Sequence, residues 1–350
     1  MDFNTVHLLV AKAEQDCLFT AASLLVARGE EILFRESYGT LGGPGTGRVD
    51  ERTLFDLASL TKILATTPAW MKLTEEDPDI LDRPLTRWFP ETPQDKTAIT
   101  PRRLLAHCSG LPAWRPYYLY SCPKNRQRRE FTRDKILAEP LQYVPGEGTI
   151  YSDLGFMLLA FIIEAQTGES WEAYATRKIF EPLGVQEDLM FLPLGEEARI
   201  ALTRRGEPPG LVNDLNARAL GRAAGHAGVF GTASAVAAMA SQTLLSLKTD
   251  KGFFDRGTTN LFCTRVAAGA QSTRALGFDT PAAEGSSSGR LFSPRSVGHT
   301  GFTGTSLWID LETDLIVVLL TNRVFMGESD FRIKSFRPMV HDAVSEAVRT

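Results

Sequence analysis

Residues 54–65 read Leu-Phe-Asp-Leu-Ala-Ser-Leu-Thr-Lys-Ile-Leu-Ala. Within this largely apolar run, Ser59 and Lys62 place a hydroxyl and an amine three positions apart. Positions i and i+3 share one face of a helix, so a helix that begins at Ser59 would bring Lys62 within reach of the serine oxygen. The amides of the first turn and the helix dipole would favour negative charge on that oxygen. Because a serine becomes a good nucleophile only when a neighbouring base takes its proton, we predict that the two residues form a catalytic pair.

A catalytic interpretation of this pair competes with an ordinary one. Serine and lysine are common residues, and an N-cap serine followed by an exposed lysine would give the same spacing. The apolar surroundings favour catalysis, because an unpaired lysine in a buried helix would be costly. Burial or a nearby cation would also lower the pKa of Lys62 toward the range of a useful base.

The length and charge of the chain argue against several functions. Its 350 residues exceed what one compact core usually holds, so we expect two closely connected subdomains. A net charge of −4 provides no basic excess to meet phosphates, which argues against nucleic acid as a partner. No run of about 18 apolar residues occurs, so we expect no membrane-spanning helix.

The cysteines and the N-terminus bear on cofactors and location. The four cysteines show neither a CxxC pair nor the His/Cys spacing of a zinc site, so we predict no metal and no other cofactor. A Cys108–Cys122 bridge is the less favoured alternative to reduced thiols. Residues 1–16 have an amphipathic helical pattern and not that of a signal peptide. The sequence as written predicts a cytoplasmic protein, and a periplasmic or extracellular one if a leader was trimmed away. The oligomeric state stays open.

Two pairs of strands at opposite ends of the chain define the expected fold. Apolar and β-branched runs predict strands at residues 22–27, 32–38, 306–309 and 315–320, and a short polar turn joins each pair. Residues 81–212 carry the signals of helices and loops. We therefore predict an α+β fold of the α/β sandwich type. Its antiparallel sheet would come from both chain ends and be flanked by helices, with a mostly helical subdomain inserted.

The expected domain boundaries follow from this arrangement. Residues 1–65 and 225–350 would form a discontinuous domain of sheet and helices, and residues 66–224 a mostly helical domain. The active site would lie between them. Pro68 would kink the helix that follows Ser59, or restart it at a first-turn position.

Two further short motifs carry groups suited to catalysis. Tyr151-Ser152-Asp153 precedes an apolar helix predicted over residues 154–165, and His299-Thr300-Gly301 precedes the C-terminal hairpin. Taken alone, the tyrosine would be a packing residue with a satisfied hydroxyl, and the histidine an ordinary loop residue. We assign structural roles to the remaining histidines, His7, His107, His226 and His341.

The order S-x-x-K, Y-S-D and H-T-G resembles the penicillin-recognising serine hydrolases of the class C β-lactamase type. This family includes D-alanyl-D-alanine carboxypeptidases, D-aminopeptidases and family VIII esterases. Residues 104–112, Leu-Leu-Ala-His-Cys-Ser-Gly-Leu-Pro, look like its L-L-x-H-x-S-G-L-P turn. Residues 224–233 look like its glycine-rich G-H-A-G-L-F segment. The resemblance extends from about residue 20 to 325.

The resemblance implies roles for individual residues. Ser59 would be the acylated nucleophile, and Lys62 and Tyr151 would form the base system, with the order of proton transfer left open. The third motif would lie on an edge strand that pairs with the substrate through Thr300 and Gly301. The N–H of Phe302, together with that of Ser59, would form the oxyanion hole.

Two departures from the family pattern affect the expected substrate. His299 stands where most β-lactamases have lysine, and imidazole is a weaker fixed charge for a substrate carboxylate. Asp153 stands where the family commonly has asparagine, and an ionised carboxylate can only accept hydrogen bonds. Asp153 could hold Lys62 cationic, which would favour Tyr151 as the base, or it could accept from a substrate N–H or ammonium. Either role argues against efficient penicillin hydrolysis.

These observations predict a metal-free serine hydrolase that works through an acyl-enzyme on a small-molecule or peptide substrate. The preferred substrate is a D-amino-acid peptide, as for a DD-carboxypeptidase. A carboxylesterase of small acyl esters is the first alternative, because esters do not need the amide contact that Asp153 has removed. The second alternative is a sensor or scaffold that is acylated but does not hydrolyse the acyl group.

Overall fold

The computed structural model describes residues 1–196, 199–221, 223–266 and 272–349. In these ranges the strands β1 to β8 are Ala21–Arg28, Glu31–Gly39, Phe55–Asp56, Leu189–Phe191, Val229–Gly231, Val297–Thr300, Ser306–Ile309 and Leu315–Thr321. The α-helices α1 to α10 are Asn4–Gln15, Thr67–Glu76, Pro101–Leu105, Arg128–Leu137, Asp153–Thr167, Trp171–Ala175, Leu215–Ala219, Ala233–Lys248, Arg256–Cys263 and Ile333–Arg349. None of these helices is both long and apolar enough to cross a bilayer.

The main sheet joins the two ends of the chain, as predicted. Its five strands lie in the order β2-β1-β8-β7-β6, and every neighbouring pair is antiparallel. Strand β1 joins the N-terminal strand β2 to the C-terminal strand β8, because Leu25 pairs with Arg35 on one side and with Val318 on the other. Strand β6, which carries His299 and Thr300 of the third motif, is one of the two edge strands, and β2 is the other. The predicted α+β class is confirmed.

Side chains of β1 alternate between two hydrophobic cores. Leu24 and Val26 face a core shared with α1 and α10, and Leu25 faces the larger core that contains residues of α8. This period of two is what a strand buried on both faces requires. The sheet is therefore a middle layer with helices on either side.

Helix α5 is the central helix of the inserted region. It begins after Ser152, whose side-chain oxygen accepts from the N–H of Gly155 at 3.2 Å. It ends at Gly168, which has the left-handed φ of 77° typical of a helix C-terminus. Its residues 154–163 are all buried, which explains the continuous apolar run. The predicted helix over 154–165 is present, longer by one residue at its start and two at its end.

The segment after Ser59 differs from the regular helix that we predicted. Ser59 lies in a turn, and residues Lys62–Thr66 form a π-helix that leads into α2. Pro68 occupies the first turn of α2, so it restarts the helix instead of kinking it. A proline has no N–H to donate to the carbonyl four residues earlier, so the wider turn forms where that bond is missing.

One small sheet was not predicted from sequence, and the state of the cysteines agrees with the favoured prediction of reduced thiols. Strands β3, β5 and β4 form a second sheet of three very short strands, too short to leave a periodic pattern. All four cysteines are free, so the alternative Cys108–Cys122 bridge is absent.

Candidate active site

A cleft of about 680 Å³ brings the three predicted motifs together. It lies beside edge strand β6, the turn before the π-helix and the start of α5. Its lining includes Ser59, Tyr151, Asp153, His299, Thr300, Gly301 and Phe302. Lys62 is fully buried behind Ser59.

A strained turn presents Ser59 to the cleft. Ala58 has a φ of 46°, which is unfavourable for a residue with a Cβ. The buried carboxylate of Asp56 holds this turn, since one oxygen accepts from the N–H of Ala58 at 2.9 Å and the other from that of Asn213 at 2.6 Å. Burial raises the pKa of Asp56 to about 6, although the two backbone hydrogen bonds oppose the rise.

Lys62 uses its ammonium group in three hydrogen bonds. Its Nζ lies 3.0 Å from Ser59 Oγ, 2.7 Å from Asp153 Oδ1 and 3.2 Å from the carbonyl oxygen of His226. Burial by itself would lower the pKa of Lys62, but the Asp153 carboxylate and Tyr151 outweigh it, and the pKa is raised. Lys62 is therefore a cation at rest, with Asp153 as its counter-ion.

Tyr151 stands over this ion pair. The Lys62 Nζ is 4.8 Å from the centre of its ring, and the side chains of Lys62 and Ser59 both act to lower the pKa of its hydroxyl. Burial raises the pKa of Tyr151, and the Lys62 charge opposes that rise. The resting state is thus a neutral phenol beside an ammonium.

His107 supports Tyr151 from behind. Its Nδ1 accepts from the N–H of Ser152 at 3.0 Å, and its ring lies 4.7 Å from that of Tyr151, centre to centre. Burial, together with the charges of Arg274 and Lys62, holds the pKa of His107 well below its usual range. The neutral imidazole fits the structural role assigned from sequence.

The third motif forms the opposite wall. His299 is buried, and burial together with the charges of Lys62 and Arg274 holds its pKa well below the usual range. A neutral His299 supplies no charge for a substrate carboxylate. Gly301 is required by space, since an added Cβ would lie 2.8 Å from the carbonyl oxygen of Leu57 and closer still to Thr305.

Hydrogen bonds join the third-motif turn to the Ser59 turn. Thr303 Oγ1 donates to the carbonyl of Asp56 at 2.7 Å, and Thr305 Oγ1 to that of Leu57 at 3.2 Å. In the part of the chain that the structure describes, the backbone N–H groups of Ser59 and Phe302 have no hydrogen-bond partner. Both residues line the cleft, so it is bordered by two residues with unpaired amide donors.

Comparison with known proteins identifies the family of this chain. A sequence model of the family described as Beta-lactamase matches residues 9–336. The chain belongs to the Beta-lactamase family. A relative from Escherichia coli O157:H7 that carries the name D-alanyl-D-alanine carboxypeptidase is 31% identical, covering 88% of this chain and 79% of that protein. An N-acetylmuramyl-L-alanine amidase of Bacillus subtilis is 30% identical, covering 87% of this chain and 77% of the relative.

Solved structures share the fold of this Beta-lactamase family member. The hydrolase EstCE1, described as having promiscuous acyltransferase activity, superposes with a TM-score of 0.76 at 23% identity, covering 97% of each chain. A penicillin-binding protein homologue from Caulobacter crescentus gives a TM-score of 0.75 at 19% identity, covering 98% of this chain and 97% of its own. At these identities the likeness concerns the fold alone.

The cleft of this Beta-lactamase family member also contains residues that the sequence analysis did not select. His226, assigned a structural role, lines the cleft with Asp214, and its Nε2 lies 2.9 Å from Asp214 Oδ1. Arg274 lies with its guanidinium carbon 5.3 Å from the centre of the Tyr151 ring. His226 stands in the glycine-rich segment that resembles the family, so that segment was a usable signal. No local pattern marks Arg274.

Proposed function

We propose that this protein is a serine hydrolase that forms an acyl-enzyme at Ser59. The observation that carries the proposal is one constellation: Ser59 Oγ accepts from Lys62 at 3.0 Å, Tyr151 stands over the Lys62 ammonium, and the unpaired amides belong to Ser59 and Phe302, which line the same cleft. A nucleophile, a proton carrier and an oxyanion site are the parts that acyl transfer needs.

In the proposed acylation step, Ser59 Oγ attacks the substrate carbonyl carbon. Because Lys62 donates to Ser59 Oγ, the serine proton is directed to the Tyr151 oxygen. Tyr151 passes its own proton to the leaving nitrogen or oxygen as the carbonyl–leaving-group bond breaks. The Lys62 cation stabilises negative charge on both oxygens throughout. Water then follows the same route in reverse and releases the acid and free Ser59.

The charges of the cleft favour a substrate with a free carboxylate, such as a peptide ending in D-alanyl-D-alanine. Neutral His299 cannot provide the cation, but Arg274 can. Its only ion pair among the described residues is a long one, 3.5 Å to Asp279. A guanidinium above the catalytic tyrosine is well placed to bind a carboxylate on the leaving side. The name of the Escherichia coli relative points in the same direction.

A carboxylesterase is the second candidate, and Asp153 favours it. The Asp153 carboxylate is engaged with Lys62 and cannot donate to a peptide carbonyl. Esters are also easier to cleave than amides, because their leaving group needs less proton transfer. The two candidates therefore differ in leaving group and not in nucleophile.

A matched pair of substrates tests the proposal. We would compare hydrolysis of an N-acylated D-Ala-D-Ala peptide with that of the same peptide as its C-terminal methyl ester. p-Nitrophenyl esters and nitrocefin would be tested alongside, and acylation would be followed by intact mass. Arg274→Met should raise KM for the free-carboxylate peptide and leave the methyl ester unchanged. Ester turnover without peptide turnover would support the esterase, and labelling without release would support a sensor. Turnover that survives in Ser59→Ala would refute the proposed nucleophile.

A further inference from the structure

A buried guanidinium lies directly beneath the third-motif turn. Arg337, on α10, is only 7% exposed. It donates to the carbonyl oxygens of Gly301 at 2.6 Å, Thr305 at 2.9 Å and Gly304 at 3.3 Å. No carboxylate of the described residues pairs with it, so its charge is balanced by backbone dipoles alone.

The Gly301 contact controls the direction of one particular amide. The carbonyl of Gly301 and the N–H of Phe302 belong to the same peptide group, and in a trans peptide they point in opposite directions. With its carbonyl held by Arg337 on the α10 side, this peptide directs the Phe302 N–H away from α10. Gly301 itself is bounded by the carbonyl oxygen of Leu57, two positions before Ser59, since an added Cβ would lie 2.8 Å from that oxygen.

A second guanidinium fixes the next peptide group. Arg323 Nε donates to the carbonyl of Phe302 at 2.9 Å, and its guanidinium carbon lies 4.7 Å from the centre of the Phe302 ring. Two cations thus hold consecutive carbonyls of one turn. Polarising a carbonyl also strengthens the donor on the same peptide, because hydrogen bonds in a chain reinforce one another.

We infer that Arg337 is a positioning residue for the oxyanion hole: it orients and polarises the peptide whose N–H, from Phe302, stabilises the negative oxygen of the transition state. The inference rests on the proposed acyl transfer at Ser59. If Arg337 only joined α10 to the sheet, its loss would lower the stability of the fold. It would not weaken binding of the transition state more than binding of the substrate. An oxyanion role affects only states in which the oxygen carries charge.

The test uses a probe that occupies the oxyanion hole. Phenylboronic acid forms a tetrahedral adduct with a catalytic serine, and one of its oxygens takes the oxyanion position. We would measure kcat and KM for a p-nitrophenyl ester, and Ki for phenylboronic acid. The proteins compared are the wild type, Arg337→Met and Arg337→Lys. Arg349→Met is the matched control, since Arg349 is also on α10 and donates to one backbone carbonyl, that of Leu291, at 3.0 Å.

In Arg337→Met, both kcat and phenylboronic acid affinity should fall by roughly 100-fold or more, the usual effect of losing one oxyanion donor, with KM nearly unchanged. Arg337→Lys, which keeps the charge but reaches fewer carbonyls, should recover part of both losses. Near-UV circular dichroism reports folding, and Arg337→Lys carries the test if Arg337→Met is unfolded. A folded variant with wild-type kcat and Ki would overturn the inference.

The same experiment separates this inference from the proposed function. If the intact protein neither binds phenylboronic acid nor depends on Ser59, the acyl-enzyme proposal fails. If it does both and the Arg337 variants match the Arg349→Met control, only the role of Arg337 is refuted.

Discussion

Replacing Asp153 by asparagine tests the ion pair at the centre of the site. The change keeps the size of the side chain and restores the residue type common in the family, but it removes the negative charge 2.7 Å from Lys62 Nζ. Lys62 is fully buried, and its other acceptors are neutral oxygens of Ser59 and His226. The variant therefore leaves a buried ammonium without a counter-ion.

The expected magnitude is several kcal/mol. At 2.7 Å and an effective dielectric constant of about 20, the attraction between the charges is about 6 kcal/mol. Desolvation offsets part of it, and removing one partner of a buried pair typically lowers stability by about 3–5 kcal/mol. Asp153 also lies in the first turn of α5, where its interaction with the helix dipole contributes only about 0.3–1 kcal/mol. Loss of the ion pair should dominate.

The loss should depend on pH in a definite direction. Without Asp153, burial makes the folded-state pKa of Lys62 lower than its value in the unfolded chain. The unfolded state then binds more protons than the folded state. The stability of the variant therefore rises as the pH approaches the pKa of Lys62 in the unfolded chain. In the wild type, the folded-state pKa of Lys62 is raised, so the ion pair keeps its stabilising effect over the same pH range. The stability gap between the two proteins should therefore narrow as pH increases.

Urea unfolding at pH 6 and pH 9 measures this gap. We expect Asp153→Asn to be less stable by about 3 kcal/mol or more at pH 6, with a smaller deficit at pH 9. The alkaline limb of kcat/KM should move to lower pH, because the carboxylate raises the pKa of both Lys62 and Tyr151 and the proposed mechanism needs both groups protonated. Asp279→Asn, a cleft carboxylate paired with Arg274, is the control. A deficit below about 1 kcal/mol, or one independent of pH, would refute the reasoning.

Two further changes test the turns that surround the nucleophile. Gly301→Ala should lower kcat by about 100-fold or more, because the new methyl group displaces the turn. Gly257→Ala is the control. Gly257 is at an exposed helical position with open space around it, so this variant should be active and slightly more stable. The folded-state pKa of Asp56, about 6, exceeds its ordinary value of 3.8. The free energy of unfolding of the wild type should therefore fall by up to about 3 kcal/mol, relative to that of Asp56→Asn, as the pH rises from about 4 to 6. A flat difference in urea unfolding across that range would contradict this. The same variant should show a lower kcat, since an asparagine cannot accept from both the Ala58 and Asn213 amides.

Much of the fold and the chemical groups of the site could be predicted from the sequence. The strands at the two chain ends and the apolar helix after Ser152 have patterns that local burial dictates, and the structure contains them. The prediction of a regular helix from Ser59 was wrong in detail. Sequence periodicity does not show how a missing proline N–H is accommodated one turn earlier, and the π-helix is the result.

Contacts between distant segments could not be predicted in the same way. The support of Ala58 by Asp56, of Tyr151 by His107 and of Gly301 by Arg337 leaves no repeat in the chain. Arg274 has no motif around it, although its guanidinium lies over the Tyr151 ring. These residues matter through where they are placed, and similar types occur at many other positions.

The sequence by itself determined which elements form and which groups could react, because hydrophobic periodicity and short motifs act over a few residues. Tertiary structure alone decided the protonation of the site. Lys62 and Asp153 are 91 positions apart, and only folding brings them to 2.7 Å in a buried place. There the attraction between opposite charges outweighs the desolvation that would otherwise neutralise the lysine.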